Sequence, residues 1–155
     1  MLFKTQLEGV RYADNINANA PLLEHTQRLF SYVSTHNFDD LAALCDDDFG
    51  IVDLDPEGKN VMIRTRTEWE VWFQTLFQKL KAMGAKTSTT ITKYDALPGS
   101  ELTMTVVEFD QHLHVNDQTH DFGCVATIVW KLIDGKWKEA RWHVSLIKSP
   151  ENLDS

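Results

Sequence analysis

Apolar positions recur at helical spacing in the first half of the chain and at every second residue in the second half. The earlier pattern predicts a helix over residues 21–35. Leu22, Leu23, Leu29, Phe30 and Val33 share one face, and Pro21 suits a first helical turn. Asn37 stands as an N-cap for a second, short helix with Phe38, Leu41, Ala42 and Cys45 inward. That helix should stop at Asp46-Asp47-Asp48, because carboxylates oppose the negative end of a helix dipole. The triplet reads as a solvated acidic turn ahead of a cation site. FGIVDLDP predicts a strand and Pro56-Glu57-Gly58 a turn. Thr67-Glu68-Trp69-Glu70 matches a capping box. It opens a longer helix whose stripe is Trp69, Trp72, Phe73, Leu76, Phe77, Leu80 and Met83, and Gly84 ends it.

Strands are predicted over residues 86–96, 101–113, 119–133 and 136–148. Turns fall at 97–100, at 114–118 and at Asp134-Gly135, the last a strong two-residue hairpin signal. Residues 1–18 look irregular, 19–150 form one domain, and 151–155 are a tail. No linker or repeat divides the chain. The layout is α+β, with helices on one face of a curved antiparallel sheet.

The closing strand alternates: Ala140, Trp142, Val144 and Leu146 are apolar, while Glu139, Arg141, His143 and Ser145 are polar. The apolar set should face the core. Counting back from a two-residue turn, Val125, Thr127 and Val129 also point inward. The outer face then carries Cys124, Ala126, Ile128 and Trp130 beside Arg141 and His143. Such an amphipathic face suits a homodimer interface, and Ile128, Trp130, Arg141 and His143 are its expected residues.

Length and composition narrow the function. A chain of 155 residues with 43% hydrophobic residues suits one domain with a sizeable core. The net charge is -8 and Lys and Arg do not cluster, so a nucleic-acid surface or docking to an anionic membrane is not expected. The N-terminus shows no apolar signal segment, and no apolar run approaches the ~20 residues of a membrane span. Two cysteines, each inside an apolar pattern, read as buried thiols in a cytoplasmic protein.

Three segments carry a family resemblance. HTQRLFSYVSTHNFDDLAALCDDDF resembles an opening helix pair, TEWEVWFQTLFQKL a third helix, and VWKLIDGKWKEARWHVS a closing hairpin. Over residues 20–148 the chain resembles the nuclear transport factor 2-like superfamily, also called SnoaL-like or cystatin-like cone folds. The hairpin is most similar to the association domain of calcium/calmodulin-dependent kinase. The resemblance implies a curved sheet wrapped around a long helix, a conical pocket, and a dimer or larger assembly. Function does not come with the fold; the superfamily includes isomerases, cyclases, dehydratases, epoxide hydrolases and non-catalytic assembly domains.

The resemblance offers an enzyme reading. The ketosteroid isomerase pattern places its base in an Asp-Pro-x-Gly turn, and Asp55-Pro56-Glu57-Gly58 stands at the matching place. Its oxyanion partners do not match: Leu29 stands near the family's tyrosine, with Tyr32 a turn away, and Thr127 stands at its strand acid. Steroid isomerisation is therefore not expected, and the turn also has an ordinary structural reading. Dehydratase-like members use histidine with aspartate, which directs attention to HLHVNDQTH, His112 to His120, with half of the six histidines. A two-residue turn at Asn116-Asp117 points Glu108, Asp110 and His112 into the cone as an acid/base group. A three-residue turn flips the parity and gathers the histidines outside. Only that second register allows a metal, and three or four converging ligands would be needed. A polar hairpin tip is the first expectation and a metal the last. Arg64 and Arg66, before the third helix, read as an exposed pair ahead of a carboxylate-binding one.

The resulting expectation is a small-molecule-binding protein without cofactor or metal. Val33, Trp72, Phe73, Thr127, Trp142 and Val144 line a mostly apolar pocket for a hydrophobic or aromatic molecule, with Asp55 near its mouth. The alternatives are a cofactor-independent lyase, isomerase or hydrolase using Asp55 and Glu108/His112, and an assembly domain whose pocket is filled by Trp72 and Trp142.

Overall fold

A computed structural model describes residues 3–55 and 57–150. Pro56, part of the expected turn, and the 151–155 tail lie outside the described residues. The chain opens with β1 (Phe3–Leu7) and β2 (Val10–Ala13), then α1 (Leu23–Ser34), α2 (Phe38–Leu44), β3 (Cys45–Leu54) and β4 (Asn60–Ile63). α3 (Arg66–Ala82) precedes four long strands: β5 (Lys86–Leu97), β6 (Leu102–Val115), β7 (Gln118–Ile133) and β8 (Lys136–Lys148). Eight strands join in one sheet in the order β1-β2-β5-β6-β7-β8-β3-β4.

The expected α+β class holds, and the helices pack on one face of this sheet around Trp69, Phe73, Trp130 and Trp142. Residues 3–18 are more regular than expected. β1 and β2 form an antiparallel pair, and β2 docks parallel to β5 through Val10, Arg11 and Tyr12. β4 is a further strand that the sequence reading passed over.

Local chemistry explains most boundaries. The Asn37 side chain accepts a hydrogen bond from the Asp40 N–H, the N-cap expected of it. α2 ends at Leu44, and the acidic triplet enters β3 instead of forming a free turn. There Asp46 pairs with Lys131 and Asp48 with Arg141. The third-helix cap lies two residues earlier than expected. Thr65 Oγ1 accepts from the Glu68 N–H at 3.1 Å, and a Glu68 carboxylate oxygen accepts from the Arg64 N–H at 2.8 Å. Thr67 is therefore inside the helix. Arg66 is not part of an exposed pair: its guanidinium donates to the carbonyls of Ala42, Cys45 and Asp46, closing the end of α2. Both hairpins turn on two residues with left-handed backbone, Asn116 (φ 53) and Asp117 (φ 61), then Asp134 (φ 50) and Gly135 (φ 79).

The face assignment needed correction. Ile133 pairs with Lys136 as expected, but the register shifts one residue further on. Trp130 pairs with Glu139 and Val129 with Arg141, so Ala140 is an extra residue bulged out of β8. A one-residue slip sends every later side chain to the opposite face. Cys124, Ala126, Ile128 and Trp130 are consequently buried with Trp142 and Val144. Trp130 Nε1 donates to Thr105 Oγ1, and its ring meets His25 of α1 edge-on. Ile128 and Trp130 cannot belong to an outer interface. That face carries Val125, Thr127 and Val129, only partly covered, beside exposed Arg141 and His143.

Candidate functional site

The inner sheet face and the helices leave a cavity of about 140 Å³. α1 contributes Leu29, Phe30 and Val33, and α3 contributes Trp69, Trp72 and Phe73. The sheet adds Ile51, Phe109, Phe122, Trp142 and Val144. Aromatic contacts order the wall: Phe30 meets Phe109 at 4.7 Å and Trp142 at 5.8 Å between ring centres, and Trp72 stands edge-on to Phe73 at 4.7 Å. Of the expected lining residues, Val33, Trp72, Phe73, Trp142 and Val144 face this space, and so does Asp55. Trp72 and Trp142 do not plug it.

Thr127, Glu108 and His112 do not reach the cavity. The Asn116-Asp117 turn has the two-residue register that pairs Glu108 with Val125 and Leu113 with His120. The bulge at Ala140 nevertheless turns Val107, Phe109 and Gln111 inward and leaves Glu108 and His112 outside. Glu108 lies 3.8 Å from Lys93 Nζ. His112 is held by structure: Nδ1 is 2.6 Å from an Asp121 oxygen and Nε2 is 2.8 Å from Thr90 Oγ1. His114 bonds to Ser88 and Thr119 in the same way. Asp55 is partly committed too, since its Oδ1 accepts from the N–H groups of Glu57 and Lys59 at 2.9 Å each. The three expected acid/base residues are thus divided by the thickness of the sheet. Among the described residues, no group of three or more His, Cys, Asp and Glu side chains is placed to hold a metal.

Two other carboxyl groups line the cavity: Asp53 and Glu139. Burial raises Asp53 to a pKa of about 6, against the opposing pull of the Leu54 N–H, which bonds to Oδ1 at 2.7 Å, and of the Trp142 indole. Burial raises Glu139 further, to about 8; the Cys45 thiol, donating at 3.3 Å, opposes this and the Asp53 charge adds to it. Cys45 rises well above the usual thiol range through burial and the neighbouring Glu139. At neutral pH the wall therefore holds a largely ionised Asp53 and a largely protonated Glu139. Such a split gives an acceptor and a donor in one apolar space.

Asp53 was legible in principle, because it shares the phase of Phe49 and Ile51 along FGIVDLDP. Glu139 was not: its inward direction depends on the bulge. Three buried polar atoms of the lining have no hydrogen-bond partner: Nε1 of Trp69, Oγ1 of Thr87 and Nε1 of Trp142.

The overall architecture matches several solved structures. One is named as a calcium/calmodulin dependent protein kinase II association domain from Xanthomonas campestris, with 18% identity and a TM-score of 0.68, covering 88% of this chain and 96% of that one. The CamKII hub homology domain of Chlamydamonas reinhardtii has 19% identity and a TM-score of 0.66, covering 85% and 100%. The beta subunit of benzoate 1,2-dioxygenase from Burkholderia mallei has 9% identity and a TM-score of 0.68, covering 84% and 91%. At these identities the likeness is one of fold. No curated protein matches the chain by sequence. A family model, described as a SnoaL-like domain, matches residues 23–149. That match spans α1, α2, α3 and every strand from β3 to β8, so the chain belongs to the SnoaL-like family of the nuclear transport factor 2-like superfamily.

Proposed function

We propose that this chain binds a small hydrophobic or aromatic molecule in the cone. The observation that carries the reading is the cavity between α1, α3 and the inner sheet face, with aromatic walls and few polar groups. Its volume of about 140 Å³ compares with the roughly 150 Å³ apolar cavity that accommodates benzene. Val33, Trp72, Phe73, Trp142 and Val144 are the contact residues in this reading. The fold supplies them from rigid elements, which keeps the site preformed.

A second reading, a cofactor-independent lyase, isomerase or hydrolase, is favoured by one observation: Asp53, raised to about 6, faces the same space as protonated Glu139. In that reading Asp53 is the general base, with Asp55 at the mouth, and Glu108 and His112 take no part. Native mass spectrometry of the purified protein and of Asp53→Asn tests both readings. A discrete small-molecule adduct on the wild type, retained by the variant at equal mass, supports binding. An adduct on Asp53→Asn that the wild type converts to a different mass supports catalysis. No adduct on either, even after incubation with small aromatic compounds, would sink both.

The outer sheet face supports a further element of the proposal, self-association as a homodimer. Val106, Val125, Thr127 and Val129 form a partly covered apolar strip on neighbouring strands, flanked by Arg141 and His143. Among the described residues no helix is long and apolar enough to cross a membrane. Two buried free thiols suit the reducing cytoplasm, where we place the protein.

A further inference from the structure

The cavity wall holds a polar pair without a full hydrogen bond between its members. Trp142 is 8% exposed, and its Nε1 is buried without a hydrogen-bond partner. An indole N–H can only donate, and leaving it unsatisfied in an apolar interior is costly. Asp53 stands beside it: Ile51 pairs with Trp142 across β3 and β8, and Asp53 is the next inward residue of β3. Of the Asp53 carboxyl oxygens, Oδ1 accepts from the Leu54 N–H. The indole N–H acts on this carboxyl as a hydrogen-bond donor, which lowers its pKa, yet the contact falls outside full hydrogen-bond geometry. The site therefore offers a donor and an acceptor, adjacent and incompletely matched. A hydroxyl group satisfies both, because its oxygen accepts while its hydrogen donates.

Charge narrows the ligand further. The lining includes Asp53, Asp55 and Glu139 but no Lys, Arg or His. A carboxylate or phosphate would enter beside like charge with no cation to balance it. A hydrocarbon would fill the aromatic walls and serve neither group, and an ether could accept from the Trp142 N–H but would donate nothing to the Asp53 oxygen. We propose that the cone selects an uncharged phenol or alcohol whose hydroxyl bridges Trp142 Nε1 and the Asp53 carboxylate, while its apolar body packs against Phe30, Phe109 and Trp72. This inference rests on the binding reading above and names the chemistry of its ligand.

Isothermal titration with three probes of nearly equal size tests it: para-cresol, its methyl ether, and para-toluate. The expected order is cresol ahead of the ether by about tenfold, one hydrogen-bonded group's worth, with toluate not binding. Asp53→Leu should remove the gap between cresol and the ether, because it deletes the acceptor that only the hydroxyl serves, whereas Trp142→Phe should weaken both probes; a thermal melt checks that each variant folds. If Asp53→Leu does not fold, Asp53→Ala supplies the same comparison. Equal affinity of cresol and ether for the wild type, or tightest binding of toluate, would overturn the hydroxyl inference while leaving the pocket reading intact. Binding of none of the three would overturn both.

Discussion

At the scale of single residues, Glu139 sets the most direct consequence. It is 2% exposed and its folded-state pKa lies near 8, well above the ordinary carboxylate value. Between those two values the folded chain holds a proton that the unfolded chain has released. Folding is then favoured toward the acid side of the window and loses stability as pH rises through it. The loss is at most about 1.4 kcal/mol per pH unit for one group. The melting temperature should therefore decline from about pH 5 to pH 8, and Glu139→Gln, which keeps a neutral donor, should flatten that decline. A variant profile parallel to the wild type would mean that Glu139 is ionised in the folded protein. Asp53 contributes in the same direction over a narrower window that ends near pH 6.

At the scale of elements, the caps and turns were largely legible and the bulges were not. The Asn37 cap, the Asp134-Gly135 turn and the β8 limits follow from short-range chemistry, in which a few adjacent residues decide the outcome, whereas the sequence left the Asn116-Asp117 turn open between two registers. The α3 cap shows how narrow the margin is. Thr65 and Thr67 are both cap-forming residues before the same helix, and only the hydrogen bond from Glu68 N–H distinguishes them. Thr65→Ala should cost about 1 kcal/mol in chemical denaturation, whereas Thr67→Ala, inside the helix, should cost much less. Equal losses would contradict the placement of the cap. The inward direction of Glu139 and the outward direction of His112 could not be read locally. Both depend on the unpaired residue Ala140, whose own side chain is small and apolar in either register. The pairing of β2 with β5 was missed for a related reason: a four-residue strand has little periodicity, and parallel partners lie far apart in sequence.

At the scale of the whole molecule, the sheet has two unlike faces. The helices cover one, and the other exposes a strip that continues from Val125 and Val129 to Met104 and Leu97, the last 61% exposed. Covering such a strip with a second copy would bury it without altering the cone. Val129→Glu places a charge at its centre, on a side chain that the fold itself leaves partly open. Sedimentation should then change from a dimer to a monomer at micromolar concentration, with the melting temperature of the monomer fold otherwise preserved. A dimer of unchanged stability would remove this face from consideration.

The extra residue at Ala140 also bears on how such a chain can diverge. A strand's side chains are dealt alternately to two compartments, here the cavity and the outer sheet face, and the bulge lets Glu139 and Trp142 enter the same one. Deleting Ala140 would leave Arg141 opposite Val129 and Trp142 opposite Ile128, so both sets would keep their compartments. A residue lost elsewhere in β8 would shift the register and exchange the two faces beyond that point. The bulge is therefore the place where this hairpin can change length while the chemistry of both faces is preserved.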